Sequence, residues 1–148
     1  MNYIGIDCHI ATMDFAVVNE VGIVSKKGKV KTGEREFMEF VKSVPRPRKI
    51  FIEECDLAAW AVEKCHAHGE NIVVTDPKQN RWISKADEKD DSIDATKLAQ
   101  LARGGYVKEI YHPVGNRRRF KELVLSYHDT VKSETRIKNK LKAKFRET

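Results

Sequence analysis

Two apolar runs that end abruptly in a carboxylate constrain the fold of this chain more than any other feature. The run Tyr3–Ile6 leads directly into Asp7, and the run Ile50–Ile52 leads into Glu53 and Glu54. A short apolar run bounded by polar residues is typical of a buried strand. Each run therefore predicts a strand that delivers an acid to an edge of a sheet.

A second pair of acids lies on a predicted helix. Asp91 and Asp94 belong to the stretch 91–99, whose sequence DSIDATKLA favours a helix. Residues three apart share one face of a helix, so this helix can present both carboxylates together. Asp87 and Asp90 form a competing pair with the same spacing. A charged loop or helix start explains that pair better, because acids favour a helix N-terminus.

The order of the remaining elements predicts an α/β fold. Strands are expected at residues 3–8, 12–18, 23–31, 49–53 and 71–75, and helices at 33–44, 57–68 and from 91 onward. This βββαβαβα order predicts a mixed five-stranded sheet with helices on its faces, which is the order of the ribonuclease-H-like fold. In such a sheet the first and fourth strands are parallel neighbours, so Asp7 and Glu53 come together at their carboxyl ends. The helix after the fifth strand can bring Asp91 and Asp94 to the same edge.

Four converging carboxylates suit divalent-metal chemistry on phosphodiesters. Mg²⁺ takes oxygen ligands, and two such ions roughly 4 Å apart can activate a nucleophile and stabilise the leaving oxygen. Packed together without cations, the acids would repel one another and their pKa values would rise. We therefore predict that Asp7, Glu53, Asp91 and Asp94 bind Mg²⁺ or Mn²⁺ and carry catalysis.

Each of these residues also has a simpler interpretation. Asp7 could be an ordinary turn residue, and Glu54 could take the role assigned to Glu53, although Glu53 continues the strand directly. His9 lies beside Asp7 and could touch a substrate, but a lone histidine is more often structural. The segment 65–68 (CHAH) looks metal-binding, yet consecutive and alternate positions of a helix point apart.

The charge of the chain is concentrated near its carboxyl end. The net charge is +6, and residues 117–148 hold eleven Lys or Arg against four acids, which leaves −1 for the first 116 residues. A concentrated positive stripe is the usual footprint of a phosphate-backbone partner, although many charge runs are only solvated helix faces. The predicted nucleic-acid-binding residues are Arg117, Arg118, Arg119, Lys132, Arg136, Lys138, Lys140 and Lys142.

The same region is predicted to be one long helix from Asn116. Apolar residues recur along it at near-heptad steps, interrupted by Glu134, and this narrow stripe predicts a coiled-coil contact with another helix, for example in a homo-oligomer. The predicted organisation is a catalytic domain at 1–106, a linker at 107–115 and the basic helix at 116–148.

Composition excludes other classes of protein. No apolar run approaches the roughly 20 residues of a membrane span, and no signal peptide precedes the first strand, so no membrane partner is expected. The three cysteines have no CxxC spacing, which gives little support to a disulfide framework or a structural zinc site. A cytoplasmic location is the default expectation.

At these residues the chain resembles the DEDD (Piv-type) insertion-sequence transposases and DNA invertases of the insertion-sequence-110 group. The matching segments are 5–9 (GIDCH), 51–54 with 59–60 (FIEE, AW), 73–77 (VVTDP), 85–99 and 138–143 (KNKLKA). The resemblance implies a RuvC-like, Mg²⁺-dependent domain that acts in DNA transposition and recombination, with Asp7, Glu53, Asp91 and Asp94 as its DEDD acids. It also implies a coiled-coil segment and, as partners, DNA and a structured bridge RNA.

Family members continue into a second domain that carries a serine nucleophile, whereas this sequence stops at Thr148 within the basic helix. The expectation is an amino-terminal part of such an enzyme. Two other functions would account for part of this sequence. An actin-like kinase or ATPase lobe normally has a Gly/Thr phosphate loop after its first Asp, and residues 8–11 (CHIA) lack one. A non-catalytic nucleic-acid-binding and dimerisation module suits the basic helix but leaves the four acids unexplained.

Overall fold

A six-stranded mixed sheet forms the centre of the first of two units in the computed structural model, which describes residues 1–78 and 91–146. The units are residues 1–112 and 113–148. The strands are β1 (Asn2–Cys8), β2 (Thr12–Asn19), β3 (Val24–Lys31), β4 (Arg48–Glu53), β5 (Ile72–Thr75) and β6 (Glu109–Ile110). Their order across the sheet is β3-β2-β1-β4-β5-β6.

Strand pairing follows the predicted topology. β1, β2 and β3 form an antiparallel meander, while β1, β4 and β5 are parallel neighbours. The parallel pairing of β1 with β4 confirms the arrangement that the two acid-terminated runs predict. A sixth strand, β6, pairs antiparallel with β5 inside the segment 107–115. Two residues are too few to show the alternation that identifies a strand in sequence.

Helices cover both faces of this sheet. On one face lie α1 (Glu34–Lys42) and α2 (Ala58–Ala67), and on the other lies α3 (Asp91–Arg103). Residues at even positions of β1 and β4 join Phe37 and Ala61 in the main core. Residues at odd positions, including Tyr3 and Phe51, pack with Leu98 and Ala102 of α3. The two faces therefore follow from the two-residue period of a strand.

Helix α3 lies unusually close to β1 because of a glycine. A Cβ atom placed on Gly5 would lie 2.2 Å from the carbonyl oxygen of Ala95 and 2.7 Å from the backbone nitrogen of Ala99. Real Cβ atoms essentially never approach other atoms so closely. The absence of a side chain at Gly5, together with the small Ala95 and Ala99, lets helix and strand backbones come into contact.

The second unit contains the helix α4 (Asn116–Arg146), whose 31 residues agree with the long helix predicted from Asn116. None of its residues is buried. Pairs of oppositely charged residues four apart support it, with Arg118 Nε 2.8 Å from Glu122 and Lys138 Nζ 2.6 Å from Glu134. None of the helices within residues 1–78 and 91–146 is both long and apolar enough to cross a membrane.

Candidate active site at the carboxyl edge of the sheet

Asp7 and Glu53 lie at the carboxyl ends of two adjacent parallel strands. The register pairs Ile6 of β1 with Ile52 of β4, and one acid follows each partner. Neighbouring strands are about 4.8 Å apart. Because Ile6 and Ile52 belong to the main core on the α1/α2 face, alternation directs Asp7 and Glu53 to the opposite face, which α3 covers.

The direction of α3 brings its two acids to the same edge. Near the end of the helix, Gln100 Nε2 donates to the Gly22 carbonyl oxygen at 2.7 Å, and Arg103 Nη1 lies 3.4 Å from the Glu20 carbonyl oxygen. This turn between β2 and β3 adjoins the start of β1, since Asn2 pairs with Asn19. The helix therefore runs opposite to β1. Its first turn, with Asp91 and Asp94, lies toward the carboxyl end of that strand.

The contacts of Asp7 and Asp94 differ. Asp7 is partly buried, and its Oδ2 lies 3.3 Å from Nε2 of His9, so this histidine contacts the candidate site. Asp94 is more exposed and has Lys97 Nζ 3.7 Å from its Oδ1. Asp87 and Asp90, the competing pair, lie outside the described residues.

Glu53 and Glu54 have different environments. Glu53 is the last residue of β4 and pairs with Thr75 of β5. Glu54 lies beyond the strand, where its backbone nitrogen donates to the Thr75 carbonyl oxygen at 3.0 Å and its carboxylate contacts Nε2 of His112. The Glu54 carboxylate is thus engaged by the segment after β6. The sequence could not show this, because His112 is distant along the chain.

Asp14 is a further acid at this edge that the sequence reasoning missed. It lies on β2 directly opposite Asp7, and on its other side it pairs with Lys29 of β3. Side chains directly opposite in an antiparallel pair share one face, with Cβ atoms about 5 Å apart. A lateral row of polar residues therefore crosses the sheet: Lys29, Asp14, Asp7, Glu53 and Thr75. The sequence feature that could have identified Asp14 is an acid inside the otherwise apolar run 13–18 (MDFAVV).

Two cysteines meet on the opposite face of the same edge. Cys8 and Cys55 share a side-chain hydrogen bond, which lowers the pKa of Cys55 to about 7 and raises that of Cys8. Cys55 is the one that ionises first, because the backbone N–H groups of Leu57 and Ala58 at the start of α2 also stabilise its thiolate. Both cysteines are free thiols. Their proximity is a tertiary contact that spacing in sequence does not reveal.

The carboxylates at the carboxyl edge of the sheet are the kind of group that a hard divalent cation prefers, because carboxylate oxygens are its usual protein ligands. Among the residues that the structure describes, no group of three or more His, Cys, Asp or Glu side chains is arranged to hold a metal ion. This finding includes the cluster at 65–68, where Cys65 is buried and His68 Nε2 lies 3.4 Å from Glu34 Oε1.

The described part of α4 holds all eight residues predicted to bind nucleic acid. Its Lys and Arg residues lie within 117–121 and 132–146, and its exposed apolar side chains include Phe120, Tyr127, Val131 and Leu141. A helix of this kind offers charge to a polyanion and an apolar stripe to another helix.

Comparison with known proteins identifies a matching family and a similar fold. The family model for DEDD transposases of the insertion-sequence-110 type matches residues 4–148. Among solved structures, the chain is similar to T. thermophilus RuvC in complex with a Holliday junction substrate, with a TM-score of 0.55 and 17% sequence identity. The match covers 74% of this chain and 99% of the RuvC chain. No curated protein matches the sequence. The ribonuclease-H-like fold predicted from the element order is confirmed, as is the RuvC-like fold that the resemblance implies.

Proposed function

The chain belongs to the DEDD transposase family of the insertion-sequence-110 type, and from this premise we propose that the carboxyl edge of its sheet is a divalent-metal centre for phosphodiester cleavage and strand transfer in DNA transposition. The observation that carries the proposal is the placement of Asp7 and Glu53 side by side on the face that α3 covers. The first turn of α3 adds Asp91 and Asp94 from the same end.

The ligand roles divide between the sheet and the helix. Asp7 and Glu53 would hold Mg²⁺ or Mn²⁺ from the rigid strand ends, and Asp91 and Asp94 would complete the set from α3. A cation bound there supplies electrophilic stabilisation of the charge that develops on the phosphate. His9, at 3.3 Å from Asp7, orients that carboxylate.

Glu53 is the second acid in this proposal, and Glu54 is not. The continuation of β4 directs Glu53 to the face of Asp7, whereas Glu54 lies beyond the end of the strand and its carboxylate contacts His112. The two residues therefore provide a matched pair for a test, since they are adjacent and chemically identical.

The direct test is calorimetric binding of Mg²⁺ and Mn²⁺ to the wild-type chain and to Asp7→Asn, Glu53→Gln and Glu54→Gln. We expect Asp7→Asn and Glu53→Gln to weaken binding at least tenfold, because each removes a charged ligand, and Glu54→Gln to bind as the wild type does. Circular dichroism verifies that each variant is folded. Equal affinity in all four proteins would overturn the metal centre.

Helix α4 provides the proposed nucleic-acid contact. The eight Lys and Arg residues predicted to bind nucleic acid would lie along a phosphate backbone, either of DNA or of a structured guide RNA. Each phosphate that such a cation neutralises adds about 0.9 to the slope of log affinity against log salt for duplex DNA. Replacing Lys138, Lys140 and Lys142 by Gln should flatten that slope by two to three units by this estimate. An unchanged slope would remove α4 from the interface.

A second candidate function is nucleic-acid binding and self-association without catalysis. The exposed apolar side chains of α4, such as Tyr127 and Val131, favour it. Cleavage of a branched DNA in the presence of Mn²⁺, lost in Asp7→Asn, separates the two functions. Sedimentation of the chain with and without Tyr127→Glu tests whether α4 mediates a homo-oligomer.

A further inference from the structure

The carboxylate of Asp14 is buried beside the proposed metal centre. Its side chain is 7% exposed, and its Oδ2 accepts no hydrogen bond from any described residue. The ammonium of Lys29 lies 3.1 Å from this oxygen, outside hydrogen-bond geometry but close enough for a strong electrostatic attraction. A buried carboxylate is costly unless it is compensated, and Lys29 provides charge compensation.

The position of Asp14 places its charge next to Asp7. The two residues are directly opposite in the β1–β2 pair, so both carboxylates lie on the α3 face with Cβ atoms about 5 Å apart. Like charges in that arrangement repel each other. The neighbours of Asp14 on its own strand, Met13 and Phe15, are fully buried and apolar. An apolar residue at this position would avoid both the repulsion and the burial cost.

We propose that Asp14 is a positioning residue that strengthens cation binding at the Asp7–Glu53 edge through its negative charge, and that Lys29 limits this effect by compensating it. The inference rests on the proposed metal centre. Asp14 acts through the field at the edge and does not need to coordinate the cation. Lys29, whose side chain is about half exposed, can be changed without disturbing the core.

Opposite effects of the two charges distinguish this role from a structural one. Removal of the negative charge in Asp14→Asn should weaken Mn²⁺ binding about tenfold, because a unit charge within several ångströms of a divalent ion contributes that order of affinity at a protein surface. Removal of the positive charge in Lys29→Met should tighten binding severalfold for the same reason. A merely structural ion pair would give changes of the same sign in both variants, because both would loosen the same edge.

The experiment is calorimetric titration of Mn²⁺ into the wild-type chain, Asp14→Asn, Lys29→Met, the double variant and the charge-conserving Lys29→Arg. We expect the double variant to fall between the two single variants and Lys29→Arg to match the wild type. Thermal unfolding without cation verifies folding, and Lys29→Met remains informative if Asp14→Asn does not fold. If the wild type binds Mn²⁺ but Lys29→Met fails to bind it more tightly, this inference is wrong while the metal centre stands. If the wild type binds no Mn²⁺, the proposed function itself fails.

Discussion

Gly5→Ala tests the contact that positions α3 and its acids over the sheet. The added Cβ would lie 2.2 Å from the Ala95 carbonyl oxygen and 2.7 Å from the Ala99 nitrogen. Both atoms are backbone, so rotation of a side chain cannot relieve the overlap. The helix must instead move away from β1 by roughly 1 Å or more to restore ordinary contact in a close-packed interior.

The expected change in the free energy of unfolding of Gly5→Ala follows from two opposing effects. Overpacking of a core costs about 1–3 kcal/mol, and a rigid backbone neighbour favours the upper end of that range. Replacing glycine also restricts the unfolded chain, which stabilises the protein by only about 0.4–1 kcal/mol. We therefore expect a net loss of about 2 kcal/mol, which corresponds to a decrease in Tm of roughly 6–12 °C for a unit of this size.

Gly104→Ala is the matched control at the other end of α3. Its Cβ would lie 2.6 Å from the ring of Tyr106, but that residue is 65% exposed and its side chain can rotate away. Thermal unfolding by circular dichroism should therefore show a small change for Gly104→Ala and a large one for Gly5→Ala. Mn²⁺ affinity should also fall in Gly5→Ala, since Asp91 and Asp94 move with the helix. If the two variants have the same Tm, α3 does not pack on β1 as described.

Two further predictions concern ionisable groups away from α3. Arg48, together with Arg46 2.7 Å from the carboxylate, holds the pKa of Glu70 below its ordinary value of 4.5. These ion pairs therefore stabilise the folded protein above pH 4.5, and the stabilisation is lost as the pH falls through the pKa that Glu70 has in the folded state. Glu70→Gln should therefore lose about 3 kcal/mol of unfolding free energy at pH 7, because Arg48 is left buried without its partner. The difference from the wild type should shrink in denaturant titrations toward pH 3, and a constant difference would contradict the assignment. For the thiols, iodoacetamide should modify Cys55 first, with a midpoint near its pKa of about 7, whereas burial raises the pKa of Cys65 to about 12 and should protect it. Peptide mapping by mass spectrometry measures both rates, and equal modification would be the contrary result.

The sequence predicted the features that depend on local order along the chain. The apolar runs before Asp7 and Glu53 became β1 and β4, and the βββαβαβα order became a RuvC-like sheet, because burial of a strand and the period of a helix are written in adjacent residues. The long helix from Asn116 was predictable for the same reason.

Contacts between distant segments were decided only by the tertiary structure. Asp14 became a neighbour of Asp7 through the register of β1 and β2, and Glu54 came into contact with the distant His112. The direction of α3 required the contacts of its last turn with the β2–β3 turn. Sequence thus determined the elements long enough to show a periodic pattern, which excludes β6. Register and packing determined which charges meet, because a lateral neighbour in a sheet can come from any distance along the chain.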